Sequence, residues 1–341
     1  FEPPTPQDVE RDFSARRRHL EQLAAIESTY FENLEGYFMG KPQQERLADA
    51  KGVRRRAWLD SAASVRVPGM MMLGPMGGRG SSESSIDLVR LAGDTALEPT
   101  SVEAIGPVLR QYASNATALQ QSRLETVLEG QRQIALFHAR AVTRDQNGNV
   151  EVSISSDDDG FETMQKADQR IAAATQTVVD LNRSTLEQLE SVLAPDQAAV
   201  LQAAYDRAAF PAVFRDRGPA RQRLESALKL ELDDVQRAAV GAIQSEFATA
   251  AADIRAKMVA AERAGGERLG MAPDIDGGQL QRVQARANEM RKLRFELSEL
   301  DARTLQRLAT VLSPEQAKAI GGLEPQPDAD QSGGIQFLQM N

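Results

Sequence analysis

Cysteine is absent from this 341-residue chain. That absence excludes disulfides, thiolate zinc sites and thiol nucleophiles, and it leaves the redox compartment open. Aromatic residues supply only 5% of the sequence against 41% hydrophobic residues in all. A core made this way rests on Leu, Val, Ile and Ala, whose small volumes suit closely packed helices. No apolar run reaches the length needed to span a bilayer. Positive charge is in deficit, with a formal net charge of −9, which argues against nucleic acid as a partner, since Lys and Arg must neutralise its phosphates. The two histidines, His19 and His138, fall on different expected helices with nothing at metal-ligand spacing around either. They read as surface or interface residues, not as a catalytic pair or a metal site.

What the chain does contain, it contains twice. Leu181-Asn-Arg-Ser-Thr-Leu-Glu-Gln-Leu-Glu-Ser-Val-Leu-Ala-Pro-Asp-Gln-Ala198 returns without a gap as Leu300-Asp-Ala-Arg-Thr-Leu-Gln-Arg-Leu-Ala-Thr-Val-Leu-Ser-Pro-Glu-Gln-Ala317, offset by 119. A fainter pair sets Leu97, Ala104, Ile105, Val108 and Tyr112 against Leu232, Ala239, Val240, Ile243 and Phe247, offset by 135. Such self-similarity is the mark of a duplicated helical unit. The difference between the offsets implies extra sequence in the first copy. The passage around Asn147-Gly148, with alternating Val and Ile on either side, reads as a β-hairpin insert over 141–155 and accounts for it.

Apolar spacing places the helices. Thr5-Pro6 starts one that runs to about Met39, with Val9, Phe13, Leu20, Leu23, Ile26, Tyr30, Phe31, Leu34, Tyr37 and Phe38 in a single stripe. A second follows Pro42, with Leu47, Val53, Trp58 and Leu59 inward and Arg54-Arg55-Arg56 largely outward. Pro68 to Gly80 and the serines after it hold too much Gly, Pro and Ser for a regular element and read as a loop over 68–84. A short helix from Ile86 precedes a long one over Pro99–Arg140, about 60 Å at 1.5 Å per residue. Asp157-Asp158-Asp159 suits the start of the next, which reaches Val192. The second unit repeats the plan with helices over 221–229, 234–263, 279–311 and 314–320. The expected divisions are a helical pair over 1–67, the loop, one helical unit over 85–211, another over 218–322, and a flexible tail over 323–341 with Ile335-Gln-Phe-Leu as a docking segment.

The repeated motif has a physical meaning of its own. In Leu312-Ser313-Pro314-Glu315-Gln316, the Ser313 hydroxyl can accept the Gln316 backbone N–H while the Gln316 side chain accepts that of Ser313. Pro314 takes the first helical position, where no donor is needed. Leu232-Asp233-Asp234-Val235-Gln236 has the same form with Asp233 as cap. Leu193-Ala194-Pro195-Asp196-Gln197 keeps Pro195 and Gln197 but lacks the capping oxygen. All three read first as helix starts.

At these residues the chain resembles the LTxxQ family, the Spy and CpxP type of periplasmic protein. The position that carries Thr in that family is Ser313, Ala194 or Asp233 here. It is also similar to larger exported all-helical proteins with an Ile-Asp-Leu element, Ile86-Asp87-Leu88 in this sequence, before a long helix. The resemblance implies curved helical hairpins, an envelope location, dimerisation, and ATP-independent binding of partly unfolded clients or of a stress-sensing partner. The start at Phe1 without a Met, running into Glu2-Pro3-Pro4, agrees with a mature protein whose export signal has been removed.

Other features invite chemistry and give it little support. Asp145-Gln-Asn147-Gly-Asn149-Val-Glu151 begins like a calcium loop, but Val150 stands where the turn wants Gly and Ser156 where a bidentate Glu is needed. Asp274 and Asp276 read as loop acids. Met70, Met71, Met72 and Met76 could form a soft copper(I) site or an adaptable apolar patch for partners; the simpler reading is a loop packing on its own protein or a neighbour. Arg16-Arg17-Arg18 and Arg54-Arg55-Arg56 could grip an anionic surface, or be solvated faces with Glu partners on their own helix.

The sequence thus predicts an all-α, elongated antiparallel bundle of long helices, made of two duplicated helical-hairpin units with one small β-hairpin insert. The expected function is a non-enzymatic, chaperone-like or sensor-like binding protein of the cell envelope that uses an apolar helical surface. The alternative is a structural subunit of a homo-oligomeric or extracellular assembly. No cofactor, catalytic residue or metal site is expected, and the partners are protein chains, copies of this one included.

Overall fold

The computed structural model describes residues 4–38, 40–65, 82–144, 150–152, 159–215, 218–265 and 277–322. Among them are eleven α-helices: α1 Pro6–Glu35, α2 Lys41–Ser64, α3 Leu88–Asp94, α4 Pro99–Ala141, α5 Asp159–Val192, α6 Pro195–Ala209, α7 Pro211–Phe214, α8 Pro219–Ala227, α9 Asp234–Gly265, α10 Gly277–Val311 and α11 Pro314–Ala319. The fold is all-α in character. Strands β1 Val142–Arg144 and β2 Val150–Val152 pair antiparallel with Thr143 opposite Glu151. The turn at Asn147-Gly148, the acids Asp157, Asp158, Asp274 and Asp276, the methionines Met70, Met71, Met72 and Met76, and the segment from Leu323 onward lie outside the described residues.

The chain divides into two compact units, one reaching Pro211 and the other made of Ala212–Gly265 with Asp276 onward. In the first, α4 is the central rod, and α1, α2 and α5 pack along it. One core lies where α3, α4, α5 and α6 meet, around Leu88, Ile105, Tyr112, Leu189, Leu201 and Tyr205. A separate cluster of Leu59, Ala62, Leu124 and Leu128 holds α2 on α4. Close approach of α4 and α5 depends on Gly130, where a Cβ would come within 2.7 Å of Ile171 Cδ1. In the second unit α8, α9 and α10 enclose Leu224, Val240, Phe247, Leu305 and Leu308, joined by Ile320 just after α11.

Six pairs of positions at the two sequence offsets are buried alike. Ile105 and Val240, Tyr112 and Phe247, and Ala116 and Ala251 are buried at an offset of 135; Leu186 and Leu305, Leu189 and Leu308, and Leu193 and Leu312 are buried at 119.

Helix ends follow local chemistry. Thr5 caps α1 in a capping box with Asp8, and Asp87 caps α3 by accepting from Val89 and Arg90. After α11, Gly321 and Gly322 adopt φ of +89° and +81°. The N–H of Gly322 reaches Ala317 O and that of Gly321 reaches Lys318 O, each at 3.0 Å, a Schellman end that needs the left-handed backbone Gly permits.

Four local expectations are corrected. Helix α1 stops at Glu35, four residues short of Met39, because the chain turns at Gly36. Ser82–Ser85, expected as loop, is a 3-10 turn. Arg56 does not face outward: it is 4% exposed and bound to Asp87. Arg16, Arg17, Arg54 and Arg55 find polar partners on neighbouring helices, Gln131 and Ala62 O for Arg16, Glu129 for Arg17, and Glu27 for Arg54 and Arg55, while Arg55 also stacks over Trp58 of its own helix at 4.5 Å from the ring centroid. A long guanidinium stem on a packed helix spans the gap to the next helix as readily as it reaches along its own.

Candidate functional site

The motif residues of the second unit come together, though 80 residues apart in sequence. Ser313 and Gln316 form the expected capping box, Gln316 N–H donating to Ser313 Oγ at 3.2 Å and Ser313 N–H to Gln316 Oε1 at 2.8 Å. Asp233 and Gln236 do the same at 2.7 and 3.4 Å. The two side-chain amides then meet. Gln236 Nε2 donates to Gln316 Oε1 at 3.0 Å, Gln316 Nε2 donates to Gln236 Oε1 at 3.2 Å, and the remaining protons reach Val311 O and Glu231 O. Each glutamine thus caps its own helix, satisfies a free carbonyl of the other chain segment, and pairs with its counterpart. Leu232 and Leu312 are buried beneath them.

The similar segment in the first unit is simpler. Ala194 gives α6 no side-chain cap, Pro195 still occupies the first turn, and Gln197 accepts from Glu98 N–H at 3.0 Å at the start of α4. Here too the glutamine joins two helix starts.

Because Gln316 makes bonds on two levels, Gln316→Ala is expected to cost about 2 kcal/mol, more than the ~1 kcal/mol of a lost cap alone. Combining it with Gln236→Ala should cost less than the sum. Equal additivity in denaturant titrations would contradict the pairing of the two amides.

A second polar cluster lies in the first unit, and motif reasoning did not find it. The turn Ser82–Ser85 and the following Ile86-Asp87 are held from every side. Glu83 takes both arms of Arg183, at 2.7 and 3.1 Å, and the Tyr205 hydroxyl at 3.3 Å. Asn182, fully buried, donates to Glu83 O at 2.7 Å and Ile86 O at 3.1 Å and accepts from the Tyr112 hydroxyl at 2.9 Å. Gln120 donates to Ser84 O, and Arg56 clasps Asp87 at 2.7 and 3.3 Å. Asn182 lies 119 residues before Asp301, which is buried as well and accepts from Ala220 N–H at 3.3 Å at the start of α8. A polar residue at matching places in the two similar sequence segments was the available signal.

The network fixes Tyr112 as a neutral phenol. Burial, with a smaller push from the Asp87 carboxylate, raises its proton affinity well above the ordinary value, about 10. The folded state therefore keeps a proton that the unfolded chain loses above about pH 10. Stability is full below that pH and falls as pH rises past it. Tyr112→Phe should flatten this alkaline loss while lowering stability at neutral pH; an unchanged alkaline slope would contradict the assignment.

On the upstream side, Val65 O accepts from Arg16 and Gln131, each at 3.2 Å. The described residues that precede and follow the methionine segment are therefore both tied to helices. His138 is half-buried against Phe137, and burial lowers its proton affinity; His19 is exposed on α1. Among the described residues no three His, Asp or Glu side chains are placed to hold a metal ion.

Exposed apolar side chains gather on α1 and just after it: Leu23 is 36% exposed, Ile26 65%, Tyr30 55% and Tyr37 81%. Their spacing of three, four and seven puts them on one stripe. Val9, Phe13 and Phe31 are buried on the adjoining face. The apolar arc of α1 is thus wider than the part its own unit covers, and the rim beyond it carries exposed Gln22, Thr29 and Asn33.

Fold and site together define a class: an all-α protein in which a helical hairpin is closed by two glutamine-bearing turns. Residues 221–323 match the family model described as LTXXQ motif family protein. The match runs from within α8 to just past α11 and takes in both paired glutamines. No curated protein matches the chain, and no solved structure does.

Proposed function

We propose that this chain is a non-enzymatic binding protein of the cell envelope, chaperone-like or sensor-like, which holds protein partners on an apolar helical surface. The observation that carries the reading is the Leu23, Ile26, Tyr30 and Tyr37 stripe. It exposes apolar area on the order of 400 Å², in the range of about 300–600 Å² of the largest patch on a typical monomer, a patch that is often functional. Tyr suits contact with varied sequences, because an aromatic ring offers apolar area with little side-chain entropy to lose.

The LTXXQ match over residues 221–323 supports an envelope setting, and among the described residues no helix is long and apolar enough to cross a membrane. The parallel burial of residues at the two offsets supports two copies of one helical unit, with assembly into homo-oligomers as part of the same reading. Met70, Met71, Met72 and Met76 are proposed as a second, adaptable contact for partners.

The test is ATP-independent suppression of aggregation. A chemically unfolded client diluted into buffer should scatter several-fold less light when this protein is present in equimolar amount. Scattering equal to that with an inert protein at the same mass concentration would sink the proposal.

A further inference from the structure

A groove of about 440 Å³ lies in the second unit between α9 and α10, lined by Glu262, Arg286, Ala287, Met290, Arg291 and Arg294. Arg286 is committed to an ion pair with Glu262. Arg291 and Arg294 are exposed and make no ion pair among the described residues. Lys292, beside them, is 3.9 Å from Glu296, with most of its side chain in solvent. Phe295 is exposed at the same level of the helix. Helix α10 carries seven basic against four acidic residues in a chain of net charge −9. It is a basic, partly apolar surface on an acidic protein.

The same chain carries a segment of complementary chemistry. Between Leu323 and Asn341 there are three acids, Glu324, Asp328 and Asp330, and no Lys or Arg, followed by the apolar run Ile335-Gln-Phe-Leu338. The order of these features fits the order along α10. From the helix end at Val311 back to Met290 is about 30 Å at 1.5 Å per residue, and an extended strand from Gly322 reaches Ile335 in at most ~43 Å at 3.3 Å per residue. Asp328 and Asp330 precede Ile335 and Phe337 as Arg294 and Arg291 precede Met290 and Ala287 on the way back along the helix, and the chain between them, with Gly333 and Gly334, is longer than the span it has to cover.

We propose that residues 323–341 dock back on α10 of their own chain, Asp328 and Asp330 against Arg294 and Arg291, and Ile335 and Phe337 in the groove at Ala287 and Met290. Opposite charges steer the acidic stretch, and the apolar pair holds it. Linkage within one chain raises the effective concentration of the segment, so contacts too weak to hold a free peptide suffice.

The absence of cysteine makes the test direct. In the full chain, Asn288→Cys and Gln339→Cys are introduced as a pair and spin-labelled, and their separation is measured by pulsed electron resonance. The docked segment predicts one narrow population. That population should be lost in Ile335→Asp/Phe337→Asp and in Arg291→Glu/Arg294→Glu, and weakened at 1 M salt, where charges are screened beyond about 3 Å. Helix content by circular dichroism confirms that the variants fold. A broad distribution in the parent chain, equal to that of Ile335→Asp/Phe337→Asp, overturns the proposal. Loss of the narrow population on dilution with excess unlabelled chain also overturns it, by assigning the groove to a second copy.

Discussion

Arg56→Ala is expected to lower the stability of the first unit by about 3–5 kcal/mol, the usual result of removing one partner from a buried ion pair. Arg56 is 4% exposed, and its guanidinium makes two bonds to Asp87 and further contacts to Ala113 O and Thr117 Oγ1, both at 3.4 Å. Removing it leaves the Asp87 carboxylate with little water and no counter-charge, and opens a void between α2 and α4. The loss is not confined to the pair. Asp87 also caps α3, so a carboxylate that protonates or swings away would free that helix start. Asp87→Asn keeps an oxygen for the cap and removes the charge, and Arg56→Ala/Asp87→Asn should regain part of what Arg56→Ala loses. Denaturant titration checks the magnitude. A cost below about 1 kcal/mol, typical of a solvated pair, would contradict the buried clasp.

Asn182→Leu should cost about 3 kcal/mol, although the two side chains are close in volume. Leu cannot donate to Glu83 O or Ile86 O, nor accept from the Tyr112 hydroxyl, and all of these lie where water has no access. Each unsatisfied buried group costs roughly 1–3 kcal/mol, and the nearby donors offset part of that. The loss should be local: faster hydrogen exchange across Ser82–Asp94, with exchange in α9 and α10 unaltered. Wild-type exchange rates in that segment would show that Asn182 does not hold the turn.

The helices were legible because their signals are local. Apolar residues recur at three and four, Pro6, Pro195 and Pro314 mark first turns, and Thr5 and Ser313 stand at helix starts, whereas the cap at Asp87 was passed over and its helix placed from Ile86. What stayed hidden depends on partners far along the chain. Glu83 sits in a run of serines and would ordinarily be exposed, yet Arg183, 100 residues away, meets it with a bidentate pair. Arg56 belongs to a triplet that composition assigns to solvent. Its place three residues before buried Leu59, on the inward face of α2, was the only local hint. The amides of Gln236 and Gln316 were legible as caps, but not as partners of each other, because periodicity does not say which helix ends meet. The apolar stripe of α1 was legible, but not that part of it stays open: an apolar pattern shows what a helix could bury, not how much of it its own chain covers.

One measurement bears most directly on the proposed role. Ile26→Asp/Tyr30→Asp places two charges on the exposed stripe, away from the residues that pack α1 on α4, and should leave helix content and melting temperature within experimental scatter. Compared with the parent chain in the client-aggregation assay, the double variant is predicted to lose most of the protection at equal concentration. Full protection by a folded Ile26→Asp/Tyr30→Asp variant would contradict the assignment of binding to α1.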